Sequence, residues 1–117
     1  MDLFHFTDRD GYNGIRAAVT WRFRASQPPG DHPFGAYFTT LPPGTRRLAY
    51  RLRIPVAKTE FVFAFRDAGD LQPLPGGRGD AIVYSPRDYE VAPDRQVDLG
   101  ESEQMQRRMS ARGGISS

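Results

Sequence analysis

The opening residues alternate, with Leu3, His5 and Thr7 on one side of an extended chain and Phe4 and Phe6 on the other. Apolar groups returning at every second position are the mark of a β-strand over residues 2–7. Phe61-Val62-Phe63-Ala64-Phe65 carries the pattern further, with three phenylalanines on one face and Val62 and Ala64 on the other. Apolar side chains on both faces predict a strand in the middle of a sheet, covered from two sides. Ala36–Thr39, Ala81–Tyr84 and Tyr89–Ala92 read as further strands, and Leu71–Leu74 as a short extended piece that Pro73 confines to an edge.

Helical spacing is scarcer. Tyr12, Ile15 and Val19 share one face of a helix expected from Arg9 to Ala18, opened by Thr7 with Asp10 in the manner of a capping box. Gly11 and Gly14 each weaken that helix by about 1 kcal/mol relative to alanine. A close neighbour would explain their retention, and so would chance. A second, short helix is expected with Thr45 as its cap, running through Arg46, Leu48, Ala49 and Tyr50. Residues 26–35 form a loop, and Leu41–Gly44 and Pro75–Gly79 are turns. From Gly100 the chain is polar. Glu103 with Arg107, and Met105 with Met109, predict a frayed helix that ends in a disordered Gly-Gly-Ile-Ser-Ser tail.

A chain of 117 residues makes one domain. The apolar fraction of 38% is modest, but 8 Phe, 5 Tyr and 1 Trp supply bulk for a core. With 12 Gly and 10 Pro, many short elements are favoured over long helices, which points to an α+β fold. The absence of cysteine removes disulfides, zinc fingers and thiol nucleophiles, and two histidines are too few for a histidine metal cage, so no metal is expected. No apolar run is long enough to cross a bilayer and no charged-then-apolar leader is present. The expectation is a protein acting in a cytoplasm, its own or that of a cell into which it is delivered, with no membrane partner. A net charge of +2 makes no case for nucleic acid. Lys58 is the single lysine, and codon bias in a G+C-rich genome explains the abundance of arginine most simply.

Three strings carry candidate chemistry: Leu3-Phe4-His5-Phe6-Thr7, Gly35-Ala36-Tyr37-Phe38-Thr39 and Gly79-Asp80-Ala81-Ile82-Val83-Tyr84. In that order, with the turn Leu41-Pro42-Pro43-Gly44-Thr45, they resemble the His-Tyr-Asp branch of the diphtheria-toxin and poly-ADP-ribose polymerase-like ADP-ribosyltransferases, a toxin-associated branch. The resemblance spans residues 3–99. It implies a small, split, mostly antiparallel β core with short flanking helices as a catalytic domain over residues 1–99, and a polar tail over 100–117. It also implies NAD as the substrate and mono-ADP-ribosyl transfer to a macromolecular acceptor, as a toxin or effector.

In that family's scheme Tyr37 would stack on the nicotinamide, main-chain groups at Phe6 would grip its amide, and His5 would bond a ribose hydroxyl. Asp80 would accept from the 2′-hydroxyl and oppose the positive charge growing at the anomeric carbon, because cleavage passes through an oxocarbenium-like state. Thr7 and Phe38 would join the NAD site, and Tyr50 would cover the other face of the ring. Each has a plain structural alternative: a core histidine, packing tyrosines and an aspartate in a turn. Aspartate is one methylene shorter than the glutamate usual in related enzymes, so Asp88 and Asp98 stand as alternative acids. Arg78 occupies the position where arginine-specific members carry Gln or Glu, so arginine is not implied as the acceptor.

The acceptor, protein or nucleic acid, is left open, as is an immunity protein as partner. Three rivals stay beside the transferase: an NAD glycohydrolase, a non-catalytic module that binds a nucleotide or partner in the same cleft, and an RNA 2′-phosphate transferase, for which no pair of clustered arginines is evident. Arg78-Gly79-Asp80 matches an integrin-binding tripeptide without any extracellular feature beside it. No Rossmann, Walker or nucleophile-elbow motif is present.

Overall fold

In the computed structural model, which describes residues 1–28, 30–74 and 81–114, the alternating segments become strands of one sheet. These are β1 (Asp2–Thr7), β3 (Ala36–Thr39), β4 (Phe61–Arg66), β5 (Gln72–Pro73), β6 (Ile82–Ser85) and β8 (Gln96–Glu101). They lie in the order β5-β6-β3-β1-β4-β8, and every pairing is antiparallel. Two more strands, β2 (Trp21–Phe23) and β7 (Tyr89–Val91), form a separate antiparallel ribbon. The helices are α1 (Arg9–Arg16), α2 (Leu48–Leu52) and α3 (Ser102–Gly114). The α+β class with a mostly antiparallel sheet is therefore the observed one.

The two apolar faces of β4 create two cores. Phe63 and Phe65 point to the side covered by the ribbon, where Leu3, Trp21, Phe23, Phe38, Tyr89 and Val91 join them. Val62 and Ala64 point the other way, against Phe4, Phe6 and Met105, with Leu48, Leu52 and Ile54 at the margin. Phe23 is the hub of the first core. Its ring stands edge-on to Phe38 at 5.2 Å and to Phe63 at 5.7 Å, and it lies 4.7 Å from the His5 ring. Edge-to-face pairs of this kind add about 0.5–1.5 kcal/mol each beyond the area they bury.

Several local expectations need correction. Asp8, not Thr7, caps α1: its Oδ1 accepts from the Gly11 N–H at 3.0 Å, while Thr7 remains in β1. The helix stops at Arg16, which leaves Val19 79% exposed. Gly11 is retained for space, since a Cβ there would collide with the Thr7 hydroxyl, whereas Gly14 has nothing near it. Thr45 does not cap α2 either; its hydroxyl donates to the Pro42 carbonyl at 2.7 Å, and the helix springs from Arg47. The expected boundary between residues 99 and 100 falls inside β8, and α3 drives Met105 into the second core with no exposed surface. Residues 100–114 therefore belong to the domain rather than to a loose tail; 115–117 lie outside the described residues.

Phe23→Ala removes the hub of the first core and is expected to cost about 3–5 kcal/mol, the range for a buried phenylalanine. Val19→Ala, at an exposed site, should change stability by less than about 0.5 kcal/mol. Urea unfolding of the two variants beside the parent measures both.

Candidate functional site

The sheet is weakest where β1 meets β3. On its β4 side β1 is paired throughout, from Asp2 opposite Arg66 to Thr7 opposite Phe61. On its β3 side only Phe4 and Thr39 stand in register. Beyond that pair the strands part, and a side chain replaces the missing ladder: His5 Nδ1 lies 3.0 Å from the Tyr37 carbonyl oxygen. A carbonyl can only accept, so Nδ1 carries the proton and Nε2 of the neutral ring keeps its lone pair. Packing beside Phe23 and Phe38 strips water from the imidazole. This desolvation lowers its pKa to about 4, against a smaller upward pull from the bond to the Tyr37 carbonyl. At neutral pH His5 is uncharged.

A cleft of about 680 Å³ opens along this seam. Phe4, His5 and Phe6 of β1 and Tyr37, Phe38 and Thr39 of β3 line it, with Ile82 of β6 beside them. Tyr37 stands across from Tyr84 on β6, and the two rings stack at 5.5 Å and 19°. Its hydroxyl donates to the Pro33 carbonyl. Burial, with a smaller contribution from Tyr84, raises its pKa, so the phenol stays protonated. Tyr84 covers one face of the ring, and the His32 ring stands edge-on to Tyr37 at 6.5 Å. The loop before β3 is anchored at its ends, where Ser26 and Gly35 exchange backbone bonds of 3.0 and 2.9 Å, and its Gly30, Asp31 and His32 reach the cleft.

The other wall comes from the end of α2. The Arg53 N–H donates to the Tyr50 carbonyl at 3.2 Å and the Ile54 N–H to the Ala49 carbonyl at 3.0 Å, the Schellman ending that normally carries glycine. Here Arg53 takes the left-handed conformation, with φ of 57°, at a cost of about 1–3 kcal/mol. Leu52, Arg53 and Ile54 all line the cleft. The ion pairs among the described residues are Arg22–Asp88, Lys58–Asp8, Arg107–Glu103 and Arg108–Asp98, so Arg53 is free of a carboxylate there.

Of the residues singled out from sequence, His5, Phe6, Tyr37 and Phe38 come together in one cleft. Thr7 is buried in β1 and is not among the lining residues. Tyr50 is also absent from the lining; it is 72% exposed with the Arg47 guanidinium 4.5 Å from its ring centre, and Leu52 takes the cleft position instead. Asp80 lies outside the described residues. Its successor Ala81 accepts from the Thr40 N–H at 2.9 Å, and Ile82 reaches the cleft.

Asp88 and Asp98 are spent elsewhere. Asp88 accepts from the Ala25 N–H at 2.8 Å and from the Arg22 guanidinium at 2.8 Å; the Ala25 bond first, then Arg22, lower its pKa. Asp98 is held by Arg108 at 3.0 Å. Neither lines the cleft. Four polar lining residues were not assigned to the site from sequence: Asp31, His32, Thr39 and Arg53. Asp31, in Pro29-Gly30-Asp31-His32-Pro33, reads as turn chemistry, and it is the one carboxylate among the described lining residues. Arg53, in Leu52-Arg53-Ile54, gives no signal beyond its apolar neighbours.

Compared with protein-family models, curated proteins and solved structures, the chain matches none. Among the described residues no group of three or more His, Cys, Asp or Glu is placed to hold a metal ion, and no helix is long and apolar enough to cross a membrane.

The lowered pKa of His5 sets a pH dependence. The unfolded chain takes up a proton near pH 6.5 and the folded one only near 4, so stability is full above 6.5 and falls as pH drops through that window. Between pH 7 and 4.5 the loss should approach about 2 kcal/mol. Urea unfolding at the two pH values is expected to show it in the parent, and much less of it in His5→Gln, which cannot titrate.

Proposed function

We propose that the seam cleft binds NAD and that the protein is a mono-ADP-ribosyltransferase of toxin or effector type, breaking the nicotinamide–ribose bond. The observation that supports this most directly is the convergence of His5 and Tyr37 in the cleft, the one offering an unprotonated Nε2 and the other a ring face. On this reading nicotinamide stacks on Tyr37, and Phe6, paired with Val62 on β4 and with nothing on β3 among the described residues, offers main-chain groups to its amide. His5 Nε2 accepts a ribose hydroxyl proton. Arg53, which joins no ion pair among the described residues, holds the diphosphate, a role suited to a planar guanidinium.

The carboxylate of the reaction is Asp80, assigned from its place in the sequence two residues before Ile82. It accepts from the ribose 2′-hydroxyl and opposes the charge that develops on the anomeric carbon as nicotinamide leaves. Removing one such electrostatic group typically lowers kcat by about 10²–10³-fold. Asp31 is the competing acid, because it lies on the cleft itself.

Incubation with NAD and a cell lysate should release nicotinamide and label an acceptor. Asp80→Ala is expected to lower kcat by about 10²–10³-fold, and Arg53→Ala to raise KM about tenfold with kcat little changed, as for loss of a charged hydrogen bond. Tyr37→Phe, which keeps the ring, should retain most activity, and Tyr37→Ala should not. Nicotinamide release without labelling would make the protein a glycohydrolase. Loss of activity in Asp31→Ala but not in Asp80→Ala would move the acid to the loop. No release with any lysate would contradict the enzymatic reading.

A further inference from the structure

Between His32 and Thr59 the chain has no carboxylate, yet Arg46, Arg47, Arg51, Arg53 and Lys58 all fall there. Lys58 is neutralised by Asp8 at 2.8 Å. The four arginines are exposed, and none of them joins an ion pair among the described residues. The Arg51 N–H donates to the Arg47 carbonyl at 2.9 Å, which ties the two arginines to the same short turn. Arg47 and Arg53 both take left-handed backbone, with φ of 58° and 57°. Within this row Tyr50 is 72% exposed, the Arg47 guanidinium against its ring. The row ends at Arg53, on the wall of the cleft.

Four exposed guanidiniums with no carboxylate partner among the described residues point to an external polyanion. A single phosphate would use one or two of these guanidiniums and leave Tyr50 idle. An acidic peptide would satisfy the charges and offer no regular partner for the ring. A single-stranded nucleic acid uses both, its phosphates on the planar guanidiniums and a base on the Tyr50 face that the Arg47 guanidinium does not cover. We propose that Arg46, Arg47, Tyr50 and Arg51 form a docking track for single-stranded nucleic acid, leading a nucleophilic group of the strand to the cleft as the ADP-ribose acceptor. The docking stands alone; the acceptor role rests on the NAD reading. In that step the bond from ribose C1′ to the pyridinium nitrogen breaks, and nicotinamide departs neutral with the bonding pair. A lone pair on the strand's nitrogen or oxygen forms the new bond to C1′, and its proton passes to solvent.

Fluorescence anisotropy with a labelled single-stranded DNA oligonucleotide, without NAD, tests the docking. Binding should weaken with salt with a log–log slope of about −2, as for roughly three phosphates neutralised on a single strand. Tyr50→Ala should weaken it about tenfold, the loss of one stacked base. The triple variant Arg46→Gln, Arg47→Gln, Arg51→Gln should abolish it while its circular dichroism and nicotinamide release stay those of the parent. Unchanged binding in these variants, or equal affinity for polyglutamate or for duplex DNA, would overturn the track. ADP-ribosylation of the oligonucleotide is read separately. Intact docking without nicotinamide release would sink the NAD reading alone, and nicotinamide release without docking would sink this inference alone.

Discussion

A single hydrogen bond from an imidazole to a strand carbonyl governs how this sheet is built. Where β1 and β3 part after one ladder pair, the His5 Nδ1–H takes over the Tyr37 carbonyl and keeps the seam from opening further. An unpaired backbone carbonyl in a buried sheet costs about 1–3 kcal/mol, so the histidine is required by the architecture as well as suited to the cleft. The bond also dictates the tautomer. With the proton committed to Nδ1, the lone pair at Nε2 is what the ring can offer a ligand, and the desolvation that lowers the pKa keeps it available across the neutral range.

The surroundings of the seam reinforce that arrangement. Phe23 and Phe38 pack on the imidazole from the ribbon core, and Tyr84 fixes the Tyr37 ring by stacking on it. Groups presented to the cleft are thus set by packing within the fold itself, before any ligand arrives. The polar members of the opposite rim are of another kind. Asp31 sits on a loop and Arg53 on a strained helix end, and both carry charge to the margin of an otherwise apolar cleft.

The strands of the sheet were legible where side chains alternate. β1 and β4 announce themselves because their two faces meet two different cores, and β3 and β6 because short apolar runs sit between turn residues. β8 was not legible: Gln96-Val97-Asp98-Leu99-Gly100-Glu101 has little alternation, and backbone pairing to β4 rather than side-chain burial makes it a strand. β2 escaped because three residues with an exposed arginine at the centre leave no period to read. The helix caps failed for a different reason. Thr7 and Thr45 have the right chemistry, but Asp8 and the turn at Pro42 compete for the same local bonds and win them. At the site, His5 and Tyr37 were readable because each interrupts an apolar strand. Arg53 was not, since its significance lies in a left-handed backbone conformation and in its place on the cleft wall, neither of which a string of letters displays.

The protonation state of the His5 ring carries the account, and nitrogen-15 NMR of the imidazole reads it directly. The prediction is a ring protonated at Nδ1 alone at neutral pH, with a bare Nε2 whose resonance moves when NAD is added and Nδ1 nearly unmoved. A proton on Nε2, or a ring indifferent to NAD, would contradict the account at its root.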